Sequence, residues 1–415
     1  MKNIIVKHDN RFKSVFVSIN FLLPLAKKEM SKNALLAMVL KKSSSRYKTE
    51  KELEKALSKI YNASIEMFVE KLNNLYKLSI GVEVLNVRYL DDNDLDEIKQ
   101  ILYSIICTPN IKDGEFNEDI FALEKQSLIK KIEEEKDDKR KYAIKRLEQE
   151  MFKNTPYGES VLGTVEDVQK ITNKDLVNHY KYVMKEAYLQ LTAVGNFEHM
   201  QSFPEEIYTK LCEYCGKHKL EIPSYVETEN KEIITTIENQ KINQSILCIG
   251  LKLPNLNKDD TYKCMLYSEI LGGTPASKLF QNVREKESLA YFSKAQYNRQ
   301  KNVIYTFSGI APEKYEKAKA VMIEQVETLK KGNITKIEFD AAKQSLISAY
   351  EELSDTKLTQ SKTLLANEIF FGRTVEFKEM IENIQRLTIS DECNIANQVE
   401  ITNIYLLGGE VNAKD

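Results

Sequence analysis

The pentapeptide Lys125-Gln126-Ser127-Leu128-Ile129 is the strongest indication of the fold, because it recurs later in the chain as Lys343-Gln344-Ser345-Leu346-Ile347. Each copy is preceded, four residues earlier, by a phenylalanine, and the two copies lie 218 residues apart. Farther upstream, the apolar run 14–24 matches 245–254 in residue type and in its final proline, with an offset of about 230 residues. Similar offsets in the same order indicate that one unit of about 200 residues was duplicated, with loops absorbing the difference.

Within each unit the hydrophobic pattern predicts strands first and helices after them. Alternating apolar residues predict strands, and Thr49 with Glu52, like Thr335 with Glu338, forms the capping-box pattern of a helix start. Strands are predicted near 3–7, 14–23, 62–69, 75–85, 189–194, 244–252, 290–297 and 302–309, and helices near 31–41, after 49, near 93–106, 117–152 and 312–332, and after 335. Strands that cluster before and between helices predict an α+β fold. The expected architecture is two tandem homologous units, each a mostly antiparallel sheet with helices packed on one face.

The composition between the two units predicts a linker. Residues 217–233 follow Gly216 and combine Pro223 with a polar run, which is typical of a connection between domains. A chain of 415 residues also exceeds the roughly 250 to 300 residues at which one hydrophobic core stops growing. We therefore predict an N-terminal unit over 1–216 and a C-terminal unit over 234–415.

Composition and charge exclude several classes of protein. Apolar residues make up 42% and charged residues 29% of the chain, as in folded globular proteins. The 60 lysines and arginines nearly balance the 62 aspartates and glutamates, so no net positive field would attract nucleic acid or an anionic membrane. No run reaches the roughly 18 apolar residues of a membrane span. Six cysteines, mostly in apolar settings, predict reduced thiols in a cytoplasmic protein.

One stretch of the second unit carries a family resemblance. Residues 271–291 read Leu-Gly-Gly-Thr-Pro-Ala-Ser-Lys-Leu-Phe-Gln-Asn-Val-Arg-Glu-Lys-Glu-Ser-Leu-Ala-Tyr, which is a glycine-rich loop, a Leu-Phe helix and then Arg-Glu-Lys with Leu-Ala-Tyr. This stretch resembles the carboxyl-half signature of the pitrilysin and mitochondrial processing peptidase family. The likeness extends over the duplicated layout, including Ala193-Val194-Gly195-Asn196-Phe197. It implies the LuxS and processing-peptidase type of metallopeptidase fold.

The resemblance also implies a zinc site that has degenerated. In active members of the family, His-x-x-Glu-His on a helix of the first unit provides two zinc ligands and the glutamate that activates water. Here Asn33 and Ala37 stand at the histidine positions and Leu36 at the glutamate position, while the third ligand, a downstream glutamate, falls on Lys130 or Lys131. Cys, His, Asp and Glu, which supply zinc ligands, are all absent from the sequence between 31 and 49. We expect this chain to bind no metal and no other cofactor.

The resemblance also implies that a second functional element of the family is present. Active members place an arginine and a tyrosine of the second unit over the zinc site, and these fall on Arg284 and Tyr291. A phenolic hydroxyl can donate to the oxyanion of a tetrahedral intermediate, and a guanidinium can hold a carbonyl or carboxylate. We expect both residues to bind substrate, with Gly272 and Gly273 forming a flexible edge over the peptide. The alternative is that Arg284 is a solvated helix residue and Tyr291 a strand-edge core residue.

An arginine and a tyrosine without zinc ligands imply a partner with the reverse pattern. The resemblance points to small bacterial inactive members that accompany an intact zinc subunit, some of them associated with elongation-factor-P modification. We therefore predict a cytoplasmic pseudoenzyme that binds peptide in a heterodimer with a homologous zinc-bearing peptidase subunit and has no activity alone. The other interpretation is a scaffold or regulatory protein with no role in hydrolysis. A neighbouring gene that encodes His-x-x-Glu-His would favour the heterodimer.

The remaining cysteines and histidines give weaker signals. Cys212-Glu213-Tyr214-Cys215-Gly216-Lys217-His218 has the spacing of part of a zinc knuckle, but a fourth ligand is missing, and unremarkable core or surface residues are the expected interpretation. His8, His179 and His199 are scattered along the chain, and no two of them lie at helical spacing. They are predicted to be surface or cap residues.

Overall fold

The structure, a computed structural model, describes residues 1–91, 93–225, 232–253 and 256–408. These residues form two compact units. The first comprises Met1–Glu134, Glu159–Tyr225 and Asp355–Thr374, and the second comprises Glu135–Gly158, the described residues from 232 to 354, and 375–408. Part of the predicted linker, 226–231, and the proline that ends the repeated run 245–254 lie outside the described residues.

The first unit is built on a five-stranded sheet. Its strands are Ile4–His8 (β1), Ser14–Pro24 (β2), Ser64–Leu72 (β3), Leu75–Leu85 (β4), and Tyr188–Gly195 (β7), with a small separate ribbon of Ile111–Lys112 (β5) and Glu115–Phe116 (β6). Its helices are Met30–Leu40 (α1), Glu50–Lys59 (α2), Asp94–Ile106 (α3), Glu118–Glu134 (α4), Val165–Lys170 (α6), Asn173–Glu186 (α7), Phe203–Leu211 (α8) and Lys357–Phe371 (α12). The sheet order is β1-β7-β2-β4-β3, in which β1 runs parallel to β7 and the other neighbours are antiparallel.

The second unit repeats this plan. Its strands are Ile234–Asn239 (β8), Ser245–Lys252 (β9), Ala290–Asn298 (β10), Val303–Ile310 (β11) and Glu400–Gly408 (β12). Its helices are Lys139–Met151 (α5), Thr261–Gly272 (α9), Tyr315–Lys330 (α10), Lys336–Leu353 (α11), Phe377–Arg386 (α13) and Ile389–Ala396 (α14), together with a π-helical segment at Phe280–Lys286. The sheet order, β8-β12-β9-β11-β10, matches that of the first unit strand for strand, with β8 parallel to β12. The predicted α+β fold of two homologous, mostly antiparallel units is confirmed.

Each sheet carries most of its helices on one face and a single helix on the other. In the first unit, Val17 and Ile19 of β2 join the core under α1, α3 and α7, whereas Leu22 faces the opposite way and packs with Leu365 and Ile369 of α12. Successive residues of a strand point to opposite faces, so one strand serves both cores. In the second unit, α5 packs on β9 and β12.

The helix on the second face of each sheet comes from the other half of the sequence. Helix α5 precedes the predicted linker yet belongs to the second unit, and α12 follows the second unit's strands β8–β11 yet belongs to the first. The predicted helical stretch over 117–152 is therefore two helices, because the chain leaves α4 at Glu134 and begins α5 after Asp138, whose carboxylate accepts from the Lys141 amide at 3.0 Å. The boundaries 1–216, 217–233 and 234–415 stay a prediction about the duplicated sequence, since the compact units follow a different division.

The predicted capping boxes differ in completeness. At the start of α11, Thr335 accepts from the Glu338 amide and the Glu338 carboxylate accepts from the Thr335 amide at 2.8 Å, which completes the box. At the start of α2, Thr49 accepts from the Glu52 amide, but the Glu52 carboxylate turns to the amide of residue 48. Only one of the two boxes is therefore reciprocal. In the ranges that the structure describes, no helix is long and apolar enough to cross a membrane.

Candidate functional site

Helix α1, where the family carries its zinc motif, is part of the hydrophobic core. Asn33, Leu36 and Ala37 are 1%, 0% and 5% exposed, and the leucine and alanine join the main cluster of the first unit. A zinc-bound water would need a polar side chain and open space at these positions. Asn33 is polar but buried, and Leu36 and Ala37 offer no ligand atom, while the assignment of these positions as a degenerate zinc site stays a prediction.

A buried histidine contacts Asn33, one of the polar residues of α1. His179 of α7 is 4% exposed, its Nε2 lies 2.8 Å from Asn33 Oδ1, and its Nδ1 lies 3.0 Å from Glu29 Oε2. The hydrogen bond with His179 holds the pKa of Glu29 below its usual value, although partial burial opposes the shift. The prediction that His179 is a surface or cap residue is therefore wrong. His8 and His199 are exposed, as predicted.

Lys130 and Lys131 lie on the exposed side of α4, and Lys130 Nζ is 3.6 Å from Glu134 Oε1. The buried acid of this helix is Glu124, which is 5% exposed and has Lys42 Nζ at 3.7 Å. Sequence reasoning missed Glu124, because a glutamate inside a charged helix gives no sign of burial. Across the described residues, no group of three or more His, Cys, Asp or Glu side chains is arranged to hold a metal ion. The absence of a bound metal stays a prediction.

In the second unit, Arg284 is carried by the π-helical segment Phe280–Lys286. Such segments are rare and occur frequently at functional sites. Hydrogen bonds hold the segment on one side, because the Asn282 side-chain amide donates to Gln325 Oε1 at 2.9 Å and to the Lys278 carbonyl oxygen at 3.0 Å. The Arg284 guanidinium lies over the Phe280 ring, 4.6 Å from its centroid, and Arg284 Nε is 3.5 Å from Glu285 Oε1.

Tyr291 sits on a second irregularity of the backbone. The pairing of β10 with β11 shifts between Ala290 and Phe292, so that Tyr291 is the extra residue of a β-bulge. A bulge in an edge strand re-aims the side chain it carries, and Tyr291 is 69% exposed. Just before the strand, Ser288 has a φ of 49°, in the left-handed region that non-glycine residues seldom adopt, and its carbonyl accepts from Lys314 Nζ at 2.9 Å.

These two irregularities bring Arg284 and Tyr291 to one cleft. The cleft encloses about 390 Å³ and is lined by Arg284, Glu285, Ser288, Leu289, Ala290, Tyr291, Ala311 and Lys314. It therefore holds two cations, one carboxylate and a phenol beside the edge strand β10. Sequence reasoning missed Lys314, which enters from the 3-10 turn Pro312–Lys314 that leads into α10.

Gly272 and Gly273 lie outside this cleft lining, and their surroundings indicate packing. A Cβ on Gly272 would lie 2.4 Å from the backbone nitrogen of Ala295, so the glycine allows α9 to approach β10 closely. A Cβ on Gly273 would lie 2.1 Å from Glu269 Oε2. Burial raises the pKa of Glu269, whose Oε2 accepts from Ser345 Oγ at 2.9 Å. A contact of either glycine with substrate stays a prediction.

The Cys212–His218 segment shows no metal-site geometry. Cys212 and Cys215 are free thiols and half-buried, and burial raises the pKa of Cys215 to about 12, which disfavours the thiolate that a metal requires. His218 Nε2 lies 2.6 Å from the Lys185 carbonyl oxygen, to which it donates. The segment therefore fits the expectation of unremarkable residues.

Comparisons with known proteins bear on the predicted family resemblance. Residues 170–346 match the Peptidase M16 inactive domain. The chain is 26% identical over 409 residues to the probable inactive metalloprotease YmfF of Bacillus subtilis, covering 97% of this chain and 95% of that protein. The predicted resemblance and the prediction that the chain is not by itself a peptidase are confirmed.

Solved structures show the same fold. A conserved protein from Enterococcus faecalis superposes with a TM-score of 0.91 at 24% identity, covering 99% of this chain and 97% of that one. A peptidase M16 inactive domain from Pseudomonas fluorescens superposes with a TM-score of 0.78 at 15% identity, covering 99% and 96%. The shared fold therefore covers nearly the whole of this chain and of each of the two solved structures.

Proposed function

We propose that this chain, which resembles inactive members of the peptidase M16 family, is the non-catalytic subunit of a heterodimeric zinc peptidase. It binds the peptide and completes the active site of a homologous, zinc-bearing partner with Arg284 and Tyr291. The pair acts on peptides in the cytoplasm. Zinc, the activated water and the general base all belong to the partner.

The observation that carries the proposal is that Arg284 and Tyr291 line one cleft although each stands on irregular backbone. A π-helical segment and a β-bulge both cost regular hydrogen bonds, and the φ of Ser288 adds strain between them. The side chains they present are 43% and 69% exposed, so neither contributes much to the core. Irregular backbone that exposes an arginine and a tyrosine side by side supports a binding role.

The chemistry of the two side chains suits an acyl-transfer transition state. A phenolic hydroxyl is a neutral donor that can meet the oxyanion of a tetrahedral intermediate, where one donor is worth about 3 to 4 kcal/mol. A guanidinium presents a planar fork of donors that can hold a substrate carbonyl or carboxylate in one orientation. Neither group can replace the zinc-bound water, which explains the need for a partner.

The proposal is tested in a reconstituted pair, with the zinc subunit taken from co-purification in the native host. Tyr291→Phe is expected to lower kcat by about 100-fold, since the loss of one oxyanion donor costs roughly 10²-fold to 10³-fold. Arg284→Ala is expected to raise KM and lower kcat/KM for peptide. Assembly, measured by analytical ultracentrifugation, and the zinc content of the pair should stay as in the wild type.

Matched controls separate the cleft from a general effect of substitution. Tyr61 is 53% exposed and Arg386 is 75% exposed, and neither lines the cleft, so Tyr61→Phe and Arg386→Ala should leave turnover unchanged. Turnover that stays at the wild-type level in both Tyr291→Phe and Arg284→Ala would refute the proposal and favour a scaffold or regulatory role.

A further inference from the structure

We infer that the cleft is selective for a carboxylate on the bound peptide, held between Arg284 and Lys314. This inference rests on the proposed function, because it names the chemistry of the peptide that Arg284 and Tyr291 bind. Lys314 is the residue that carries it. A peptide backbone needs only a donor to its carbonyl, whereas two cations facing one cleft match a group with a full negative charge.

Arg284 keeps donors free for such a ligand. Its Nε is 3.5 Å from Glu285 Oε1, and within the described parts of the chain its two terminal nitrogens have no hydrogen-bond partner. Both members of that pair are exposed, by 43% and 52%, and exposed ion pairs contribute little free energy. Stacking on Phe280 fixes the plane of the guanidinium. A ligand carboxylate can therefore displace Glu285 and accept from the fork with both oxygens.

Lys314 stands in the 3-10 turn just before α10 and forms no ion pair with the described residues. Lys317 and Lys319, the next lysines along α10, are paired with Glu287 at 2.8 Å and Glu316 at 2.6 Å. Lys314 has no carboxylate within 4.0 Å among the residues that the structure describes, and its ammonium donates only to the Ser288 carbonyl. An ammonium has three donors, so two remain for a ligand in the cleft.

The position of Lys314 links it to both expected binding residues. The carbonyl it holds belongs to Ser288, in the short connection between the π-helical segment that carries Arg284 and the bulge that carries Tyr291. A purely structural role would be to brace this connection. An arginine at position 314 could donate to the same carbonyl and keep the charge, whereas a methionine would keep the aliphatic stem and lose both.

The test uses three fluorescein-labelled nonapeptides of one apolar sequence. The first has a central aspartate and an amidated C-terminus, the second has asparagine in place of the aspartate, and the third has asparagine with a free C-terminal carboxylate. Binding to the full chain is measured by fluorescence anisotropy at low salt. The same peptides then serve as substrates of the reconstituted pair, compared by kcat/KM.

We expect at least one carboxylate peptide to bind about fivefold to tenfold more tightly than the neutral peptide, as for a charge-assisted hydrogen bond. Lys314→Met should remove most of this preference and Lys314→Arg should restore it. Lys319→Met, which removes a lysine of α10 outside the cleft lining, should retain the preference. The peptide that is favoured distinguishes an acidic side chain from a free C-terminus as the source of the carboxylate.

The outcomes separate this inference from the proposed function. Equal affinity and equal kcat/KM for all three peptides would overturn the carboxylate preference, and so would a preference that survives in Lys314→Met. If Arg284→Ala still weakened all three peptides alike, the proposed function would stand without the inference. Failure of any peptide to bind the chain or to be cleaved by the pair would overturn both.

Discussion

Replacing the buried Glu392 by leucine should stabilise the second unit. Glu392 lies on α14, is 0% exposed, and neither carboxylate oxygen has a hydrogen-bond partner among the described residues. The duplicated position in the first unit is Leu176, which follows its capping threonine by the same four residues and is also 0% exposed. One copy of the same core site therefore holds a leucine and the other an isolated acid.

The expected magnitude follows from the two orphaned oxygens. A buried polar group without a partner costs about 1 to 3 kcal/mol, and an apolar side chain of similar size removes that cost. We expect Glu392→Leu to raise the free energy of unfolding by about 2 kcal/mol at acid pH, where the carboxyl is neutral in both states. In a unit of this size, that gain raises the Tm by about 4 to 8 °C.

The effect should grow with pH. Burial, reinforced by the neighbouring Asp391, raises the pKa of Glu392 well above its usual value of 4.5. Between 4.5 and the raised folded-state value, the folded protein binds more protons than the unfolded chain, so stability falls as pH rises. The slope from one such group is at most about 1.4 kcal/mol per pH unit. The leucine variant lacks this loss, and its advantage over the wild type widens above pH 4.5.

The assay is thermal unfolding, by calorimetry and near-ultraviolet circular dichroism, at intervals of one pH unit from 4 to 8. Glu392→Gln is the matched control, because it keeps a buried polar side chain that does not ionise. It should lose the pH dependence of the wild type while gaining little stability at acid pH. A wild type and leucine variant with parallel pH profiles, or a glutamine variant with the profile of the wild type, would refute the account of an isolated acid.

Two further predictions concern packing and metal. Gly272→Ala should lower the free energy of unfolding by about 2 kcal/mol, because its Cβ would meet the rigid backbone of β10 at 2.4 Å. Gly273→Ala should lower it by less than about 0.5 kcal/mol, since the Glu269 carboxylate that its Cβ meets can rotate away. Chemical denaturation of the two variants compares these effects. The purified chain, incubated with zinc and then dialysed, should contain far less than one ion per chain by mass spectrometry, and one ion per chain would contradict the degenerate site.

The elements with strong local patterns could be predicted from sequence. The strand over 75–85 is observed at Leu75–Leu85, and the helix over 93–106 at Asp94–Ile106. The exchange of α5 and α12 could not be predicted, because amphipathic periodicity shows that a helix buries a face but not which sheet it packs on. Here the break after Glu134 sends the next helix to the other unit, and the charged sequence of 135–138 gives no sign of that destination.

The candidate site divides in the same way between what local sequence encodes and what tertiary contacts add. Arg284 and Tyr291 belong to a signature of contiguous residues, but the π-helical segment also makes long-range contacts, such as the bond from Asn282 to Gln325. Lys314 lies 23 or more residues in sequence from Arg284 and Tyr291. His179 lies 146 residues from Asn33 on α1. A lone lysine or histidine carries no spacing signal, so only the folded chain brings them into place.

Helix α1 and the cleft differ in what accounts for their residues. Nine of the eleven residues of α1 are buried, and Asn33 among them contacts His179, so this helix is held by packing. The requirements of folding therefore account for the apolar residues Leu36 and Ala37 at the predicted zinc positions. They do not account for the cleft, since an exposed arginine and an exposed tyrosine on irregular backbone add strain and little burial. Under the proposed function, a peptide shared with a metal-bearing partner would supply the interaction that the folded chain alone lacks.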